Sequence, residues 1–435
     1  MIGKILVALV GLVLALGLLT IAIGLPISLL IVFVLALTLL IGGDWVPLIY
    51  NLRSLAVRKV STLLTGLGLA LVVFVFATVL MLAGGIRATL VSTGQRENVK
   101  ILRKGAQNEV QSGVQTEQAR LLSGAPEIAI GPDGKPLMSE EAIVLIFALR
   151  EGAKDDQDGT NVTCRGVGPR ALQVHDTVKV EGRMANPGTS EIVVGRGLVG
   201  RFQGLKMGGQ IYFARRNWTV VGILDSHGSA YDSEVWGDVD QFVDAFQRRG
   251  AFSSITARLK DPALVPTMQG RIEADPQLNS LEIKRETDYF AAQSEGFARF
   301  IQFLGLFVAI IFAFGAALGA MITMYSAVAA RTREIGTLRA LGFRRRAVLV
   351  SFLVESMLMG LAAGVVGIAF ASLMQFASFS TMNFQTFSET TFKFVLTPRI
   401  IFGSLVFSAI LGYAGGLFPA MRASRLPIVE ATRGG

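Results

Sequence analysis

The chain has 435 residues, 51% of them hydrophobic and 17% charged, with a formal net charge of +9. A soluble domain carries about 25% charged residues. Here the shortfall sits in six apolar blocks, which excludes a wholly soluble protein. The basic excess lies in short loops between those blocks and not in a stripe on the polar part, so it does not point to a nucleic-acid partner.

The blocks fall at 4–24, 26–43, 61–83, 299–324, 347–374 and 399–418. About 20 helical residues cross the hydrocarbon core, and each block reaches or approaches that length. The first starts after Lys4, as a signal peptide would. Its apolar run exceeds the ~7–15 residues of a signal core. It lacks an Ala-x-Ala site and meets the second run at Gly24-Leu25-Pro26. Residues 1–43 therefore read as a transmembrane hairpin kinked at Pro26. Residues 44–60, with the stretch WVPLIYNLRSLAVRKV, read as an amphipathic elbow helix on the inner membrane surface.

Charge sets the orientation. With a cytoplasmic N-terminus, the inside segments hold 13 basic and 3 acidic residues, whereas 85–298 holds 25 basic and 27 acidic ones. The positive-inside rule then places both termini in the cytoplasm, the chain in the inner membrane, and 85–298 outside.

After the membrane helix 61–84, the segment 85–298 alternates strand and helix patterns. EIVVG, QIYFA, WTVVGIL and SLEIKRE read as strands. SEVWGDVDQFVDAFQRR, with Val235, Val239, Phe242, Val243 and Phe246 at roughly helical spacing, reads as a helix, as does ALVPTMQGRIEADPQL. The expected fold is a multi-pass α-helical membrane protein with an inserted α+β extracytoplasmic domain. Cys164, the one cysteine, cannot close an intramolecular disulfide. His175 and His227 stand alone, so no metal site is expected. Gly195-x-Gly197-x-x-Gly200 matches a dinucleotide fingerprint formally. The short turn between QIYFA and WTVVGIL implies an antiparallel hairpin there, against the parallel crossover that such a site needs. No G-x-x-x-x-G-K-[ST] loop occurs, so ATP hydrolysis is not expected of this chain, nor is any catalytic residue identified.

The helix 299–324 leads into the cytoplasmic loop 325–346, and 347–374 returns outward with an intramembrane acid, Glu355. A Phe-rich outside loop, 375–398, suits the membrane–water interface or a lateral entry path. The helix 399–420 and a cytoplasmic tail, 421–435, follow. Gly315 and Gly319, and Gly360 and Gly364, are spaced by four, a spacing that lets helix backbones approach. In the loop, RTREIGTLRALGFRRR has an apolar side (Ile335, Leu338, Ala340, Leu341) and a charged one (Arg333, Glu334, Arg339). Such a helix either lies on anionic lipid or docks in a groove on a cytoplasmic partner.

Four features carry a family resemblance: NLRSLAVRKVSTLLTGLGLALVVFVF, the large insertion straight after it, ARTREIGTLRALGFRRRAVLVSFLVESMLMGLAAGVVG, and FPAMRASRLPIVEATRGG. Together the chain resembles the MacB/FtsX-type ABC permeases, also called type VII or mechanotransmission transporters, over about residues 48–433. The resemblance implies that Arg333, Glu334, Ile335, Gly336, Leu338, Arg339, Ala340, Leu341 and Gly342 form the coupling helix that sits on an ATPase, with Glu355 the acidic residue following it. It implies a MacB-like periplasmic core domain in the insertion. It further implies two copies of a separate cytoplasmic ABC ATPase holding ATP and Mg, a second permease copy or paralogue, contact with membrane lipid, and room for a periplasmic adaptor.

The chain departs from the four-helix pattern by the hairpin at 1–43, and in having no fused ATPase domain it is closer to the LolC, LolE and FtsX type. The expected function is that of a permease subunit coupling a partner's ATP hydrolysis to export or extraction of an amphiphilic or lipidated substrate, or to motion of the outside domain. The alternatives are an FtsX-like regulator that activates an extracytoplasmic partner such as a cell-wall hydrolase, and, more remotely, a membrane-bound enzyme.

Overall fold

Uninterrupted apolar runs leave a backbone in hydrocarbon no choice but to satisfy its own hydrogen bonds, and helices do so within one segment. A computed structural model describes residues 59–155, 157–383 and 388–427. Among these, four helices are long and apolar enough to cross a membrane. They are α1 (Lys59–Val91), α6 (Glu286–Ala330), α8 (Arg345–Ser372) and α9 (Pro398–Ser424). The hairpin read at 1–43, nearly all of the elbow read at 44–60, and residues 428–435 lie outside the described residues. The chain forms two compact units. The first contains described residues 59–84, 300–377 and 394–427, and the second contains 85–299 and 378–393.

In the first unit the helices meet on small residues. Ala309, Ala313, Ala317 and Ala320 of α6 recur at helical spacing and are buried against Leu69 and Val73 of α1 and Leu411 and Ala414 of α9. Phe76 stacks on Phe407 with ring centroids 4.2 Å apart. Helices α8 and α9 meet on glycine: a Cβ on Gly360 would stand 2.6 Å from the Ser408 carbonyl oxygen and 3.0 Å from Gly412. Helix α9 opens with Thr397, whose side chain accepts from the Ile400 amide, and with Pro398, whose missing N–H costs nothing there.

The second unit is built on a ten-stranded sheet. Its strands are β1 (Asn98–Arg103), β3 (Met138–Leu149), β4 (Gly159–Val167), β5 (Lys179–Gly182), β6 (Glu191–Gly195), β7 (Gln210–Phe213), β8 (Arg216–Asp225), β9 (Glu234–Asp238), β11 (Ser254–Arg258) and β12 (Leu281–Arg285). Their order is β12-β1-β11-β3-β4-β9-β6-β8-β5, with β7 pairing β8. Two cores lie along it. One joins β1, β11 and β12 to helices α2 (Thr116–Ser123) and α5 (Val265–Ala274), through residues such as Ile101, Leu122, Ile255 and Ile272. The other joins β4, β6, β8 and β9 to α4 (Val239–Ala245), through Val162, Val194, Trp218 and Phe242. Strand β3 serves both. Met138–Glu141 pairs β11 and Glu141–Leu149 pairs β4, so the change of partner falls on Glu141.

One expectation needs correction, and two gain detail. The helix read over SEVWGDVDQFVDAFQRR is confined to Val239–Ala245; Glu234–Asp238 is strand β9, held between β4 and β6. Val235 fits the spacing of a helix face, but a buried β-branched residue beside Trp236 suits a central strand equally well. Strands β7 and β8 do form an antiparallel hairpin, turning on Ala214 and Arg215, both in left-handed conformation. A parallel pair nevertheless exists between β6 and β8. The segment after the Gly-rich stretch is a run of turns and not a helix, and Gly195 and Gly197 pack against the Asp232 backbone, so no phosphate-facing helix end is formed there. Finally, the Phe-rich loop 375–398 contains a β-hairpin, β13 (Ser378–Asn383) with β14 (Ser388–Lys393). It belongs to the second unit, with Phe392 buried and Glu389 paired to Arg150 and Arg201.

Candidate functional site: a short helix clamped to the membrane bundle

Between α6 and α8 runs α7 (Thr332–Ala340). Its start and stop are local. Arg331 lies at its N-cap, and Gly342 closes it in left-handed conformation at φ 98°. The Phe343 amide reaches the Leu338 carbonyl and the Gly342 amide reaches that of Arg339, each at 3.2 Å. This is the Schellman arrangement, which only a residue free of Cβ strain enters readily.

One face of α7 is fixed. Ile335 is 1% exposed and packs with Met324, Val328, Val348, Phe352 and Ala420, and Gly336 is buried beside it. Arg331 donates to Glu355 of α8 at 2.9 Å with both side chains nearly inaccessible, and its guanidinium lies over the Phe352 ring at 5.9 Å. At the other end Arg339 donates to the Ser424 carbonyl of α9 at 3.1 Å, a favourable place for a cation at a helix C-terminus.

The opposite face is open. Arg333, Glu334, Thr337 and Ala340 are exposed, Leu341 is 73% exposed, and Leu338 is half-buried between the two faces. Arg344, Arg345 and Arg346 continue this exposed surface. The nine residues from Arg333 to Gly342 read as a coupling set thus divide. Ile335, Gly336 and Arg339 hold the helix, Gly342 ends it, Leu338 lies half-buried between the faces, and Arg333, Glu334, Ala340 and Leu341 face outward. Glu355 is brought to the base of the helix. The glycines divide too: Gly360 and Gly364 abut Ser408, whereas a Cβ on Gly315 or Gly319 would meet nothing within 4 Å among the described residues.

In sequence Arg331 is one more basic residue of the loop 325–346, and its pairing with a residue 24 positions later leaves no trace in spacing. The second unit repeats this on a larger scale. Lys100, Glu109, Glu141, Arg165, Glu234 and Glu286, indistinguishable in sequence from surface charges, are all buried. His175 is likewise buried, 2.9 Å from Glu141, while His227 is exposed. Cys164 is buried, and burial pushes its thiol well above the ordinary range. Among the described residues no group of three or more His, Cys, Asp or Glu is arranged to hold a metal ion.

Comparison with known proteins matches two family models: the MacB-like periplasmic core domain over residues 62–275 and the FtsX-like permease C-terminal over residues 306–428. The macrolide export ATP-binding/permease protein MacB of Photorhabdus laumondii is 26% identical over 87% of this chain and 59% of its own length. That of Bdellovibrio bacteriovorus is 26% identical over 63% of this chain and 44% of its own. The chain thus spans about half the length of the curated relatives it matches. The solved periplasmic region of MacB from Actinobacillus actinomycetemcomitans aligns over 47% of this chain and 95% of its own, at 12% identity and a TM-score of 0.34.

Proposed function

Since the chain belongs to the MacB/FtsX-type ABC permeases, we propose that it is a permease subunit driven by a separate cytoplasmic ABC ATPase, and that α7 is where the ATPase docks. ATP and Mg are held by two copies of that partner. Their association is passed through α7 and the membrane helices to the extracytoplasmic domain, which exports or extracts an amphiphilic or lipidated substrate. The observation that carries this reading is the two-faced build of α7. A helix clamped at both ends by Arg331–Glu355 and Arg339–Ser424, yet open along Arg333, Glu334, Ala340 and Leu341, transmits force without yielding. An apolar residue as exposed as Leu341, flanked by charges, fits a groove on a protein partner better than it fits water. Among the described residues nothing packs on Gly315 and Gly319, which lie beside exposed Phe307, Ile311 and Ile322, and this supports a second permease copy or paralogue against α6.

Leu341→Asp combined with Glu334→Lys tests the docking. Both positions are solvent-facing, so the permease itself is expected to fold and insert normally. Co-purification with its ATPase, and any ATPase stimulation by the permease, are expected to be lost. Unchanged co-purification and stimulation would refute the assignment of α7.

A further inference from the structure

The two apolar cores of the second unit do not merge. Between them lies a layer of buried charge centred on Glu141, the residue at which β3 changes partner. One Glu141 carboxylate oxygen accepts from Lys100 at 2.8 Å and from Arg165 at 2.6 Å, and the other faces the His175 ring at 2.9 Å. Arg165 also grips Glu109 at 3.0 Å and Glu234 at 2.7 Å. These side chains come from both lobes: Lys100 from β1 on one side, Arg165 and Glu234 from β4 and β9 on the other.

Burying such a network adds little net stability, because desolvation offsets most of the attraction, and an apolar filling serves as well or better. It changes how the lobes can move. Interdigitated aliphatic side chains lock two surfaces in one register, whereas an arginine held among three carboxylates can shift between partners without leaving any charge bare. A cavity of about 40 Å³, bordered by Glu109, Arg165, Ser233, Glu234 and Gln293, leaves space beside the guanidinium. A single water needs only about 10–15 Å³ of such volume.

The layer reaches one further residue, Glu286, the first of helix α6. Its carboxylate accepts from the Gln95 amide at 3.0 Å, the Asn98 side chain at 3.1 Å and the Tyr231 hydroxyl at 3.0 Å, and stands 3.7 Å from His175. Gln95 lies just past the end of α1. There the chain crosses the start of α6 so closely that a Cβ on Gly94 would lie 2.7 Å from the Glu286 carbonyl carbon. The outer ends of α1 and α6 are therefore tied at one point, and that point is continuous, through His175, with Glu141.

We propose that the buried charge layer around Glu141 is an articulation between two lobes of the extracytoplasmic domain, and that Glu286 is the positioning residue through which α1 and α6 act on it. The second half of this statement rests on the transmission of motion through the membrane helices; the first half does not.

Spin-label distance measurements on the full chain in lipid nanodiscs test the proposal. Leu121→Cys with Tyr212→Cys places exposed labels on different lobes. Leu121→Cys with Ile130→Cys, and Phe147→Cys with Tyr212→Cys, report each lobe alone, and buried Cys164 remains in place. Glu286→Gln is expected to shift and broaden the inter-lobe distribution while both intra-lobe distributions stay narrow. Gly94→Ala, which keeps every charge but forces the crossing apart, is expected to do the same. An inter-lobe distribution unchanged in both variants overturns the proposal. Equal broadening within the lobes also overturns it, because the network would then only hold the fold together. No ATPase takes part in the measurement, so the outcome is separate from that of the docking test on α7.

Discussion

The Arg331 guanidinium and the Glu355 carboxylate meet at 2.9 Å at the base of α7, where neither side chain is more than 8% exposed. Arg331 ends one membrane helix and Glu355 lies three turns into the next, so this pair ties the start of α7 to the bundle. Removing one partner from a buried pair costs about 3–5 kcal/mol; Arg331 also stands 3.7 Å from the exposed Glu334, a longer and more solvated contact than the one to Glu355. Arg331→Met and Glu355→Leu are each expected to destabilise the protein by that order. The double variant is expected to recover most of the loss, since two apolar side chains fill the same space without a bare charge. Unfolding of the three variants in detergent micelles, read as a double-mutant cycle, measures this. Additive losses would show that the pair is not energetically coupled.

The glycines give a second contrast within the same helices. Gly360→Ala puts a methyl 2.6 Å from the Ser408 carbonyl oxygen and is expected to cost about 1–3 kcal/mol by overpacking α8 against α9. Gly315→Ala meets none of the described residues and is expected to be neutral or stabilising by up to about 1 kcal/mol, through helix propensity alone. Equal losses in a monomeric micellar preparation would contradict the packing described for α8 and α9.

The charge layer also sets an acid limit for the second unit. Burial pushes the Glu109 carboxyl up, but Arg165 and Lys100 beside it outweigh burial and hold it at about 2, against an ordinary 4.5. Glu141 is held well below its ordinary value in the same way, by Lys100, Arg165 and the His175 hydrogen bond against the effect of burial. A depressed folded-state value means that the stabilisation is complete above pH 4.5 and is lost as pH falls toward 2. Denaturant unfolding of the full chain is expected to weaken steadily across that window. Trp236, whose indole donates to Glu234 at 2.8 Å, supplies a fluorescence reporter inside the layer. Glu109→Gln is expected to lower stability at pH 7 and to flatten the pH dependence. A variant with the wild-type acid profile would exclude Glu109 as its source.

Local pattern made much of this legible. In β8, buried and half-exposed residues alternate from Trp218 to Asp225, as the strand reading of WTVVGIL requires. The end of α7 was legible at Gly342, because the left-handed turn that terminates a helix there favours glycine over any other residue. Val235 misled for the same reason that Gly342 did not. Its fate depends on β4 and β6 closing over it, and nothing within a few residues of it encodes their arrival.

The sequence by itself determined which segments are apolar enough to enter a membrane, how their flanking charges are distributed, and that a large α+β segment separates two of them. Run length, charge and side-chain period are properties of consecutive residues. Only the tertiary structure decided that Arg331 finds Glu355, that Gly360 lies against Ser408 while Gly315 meets none of the described residues, and that Glu141 stands where one strand serves two cores. Partners for a charge or a bare backbone are chosen by proximity in space, and the positions that meet are 24, 48 or more than 100 residues apart in the chain.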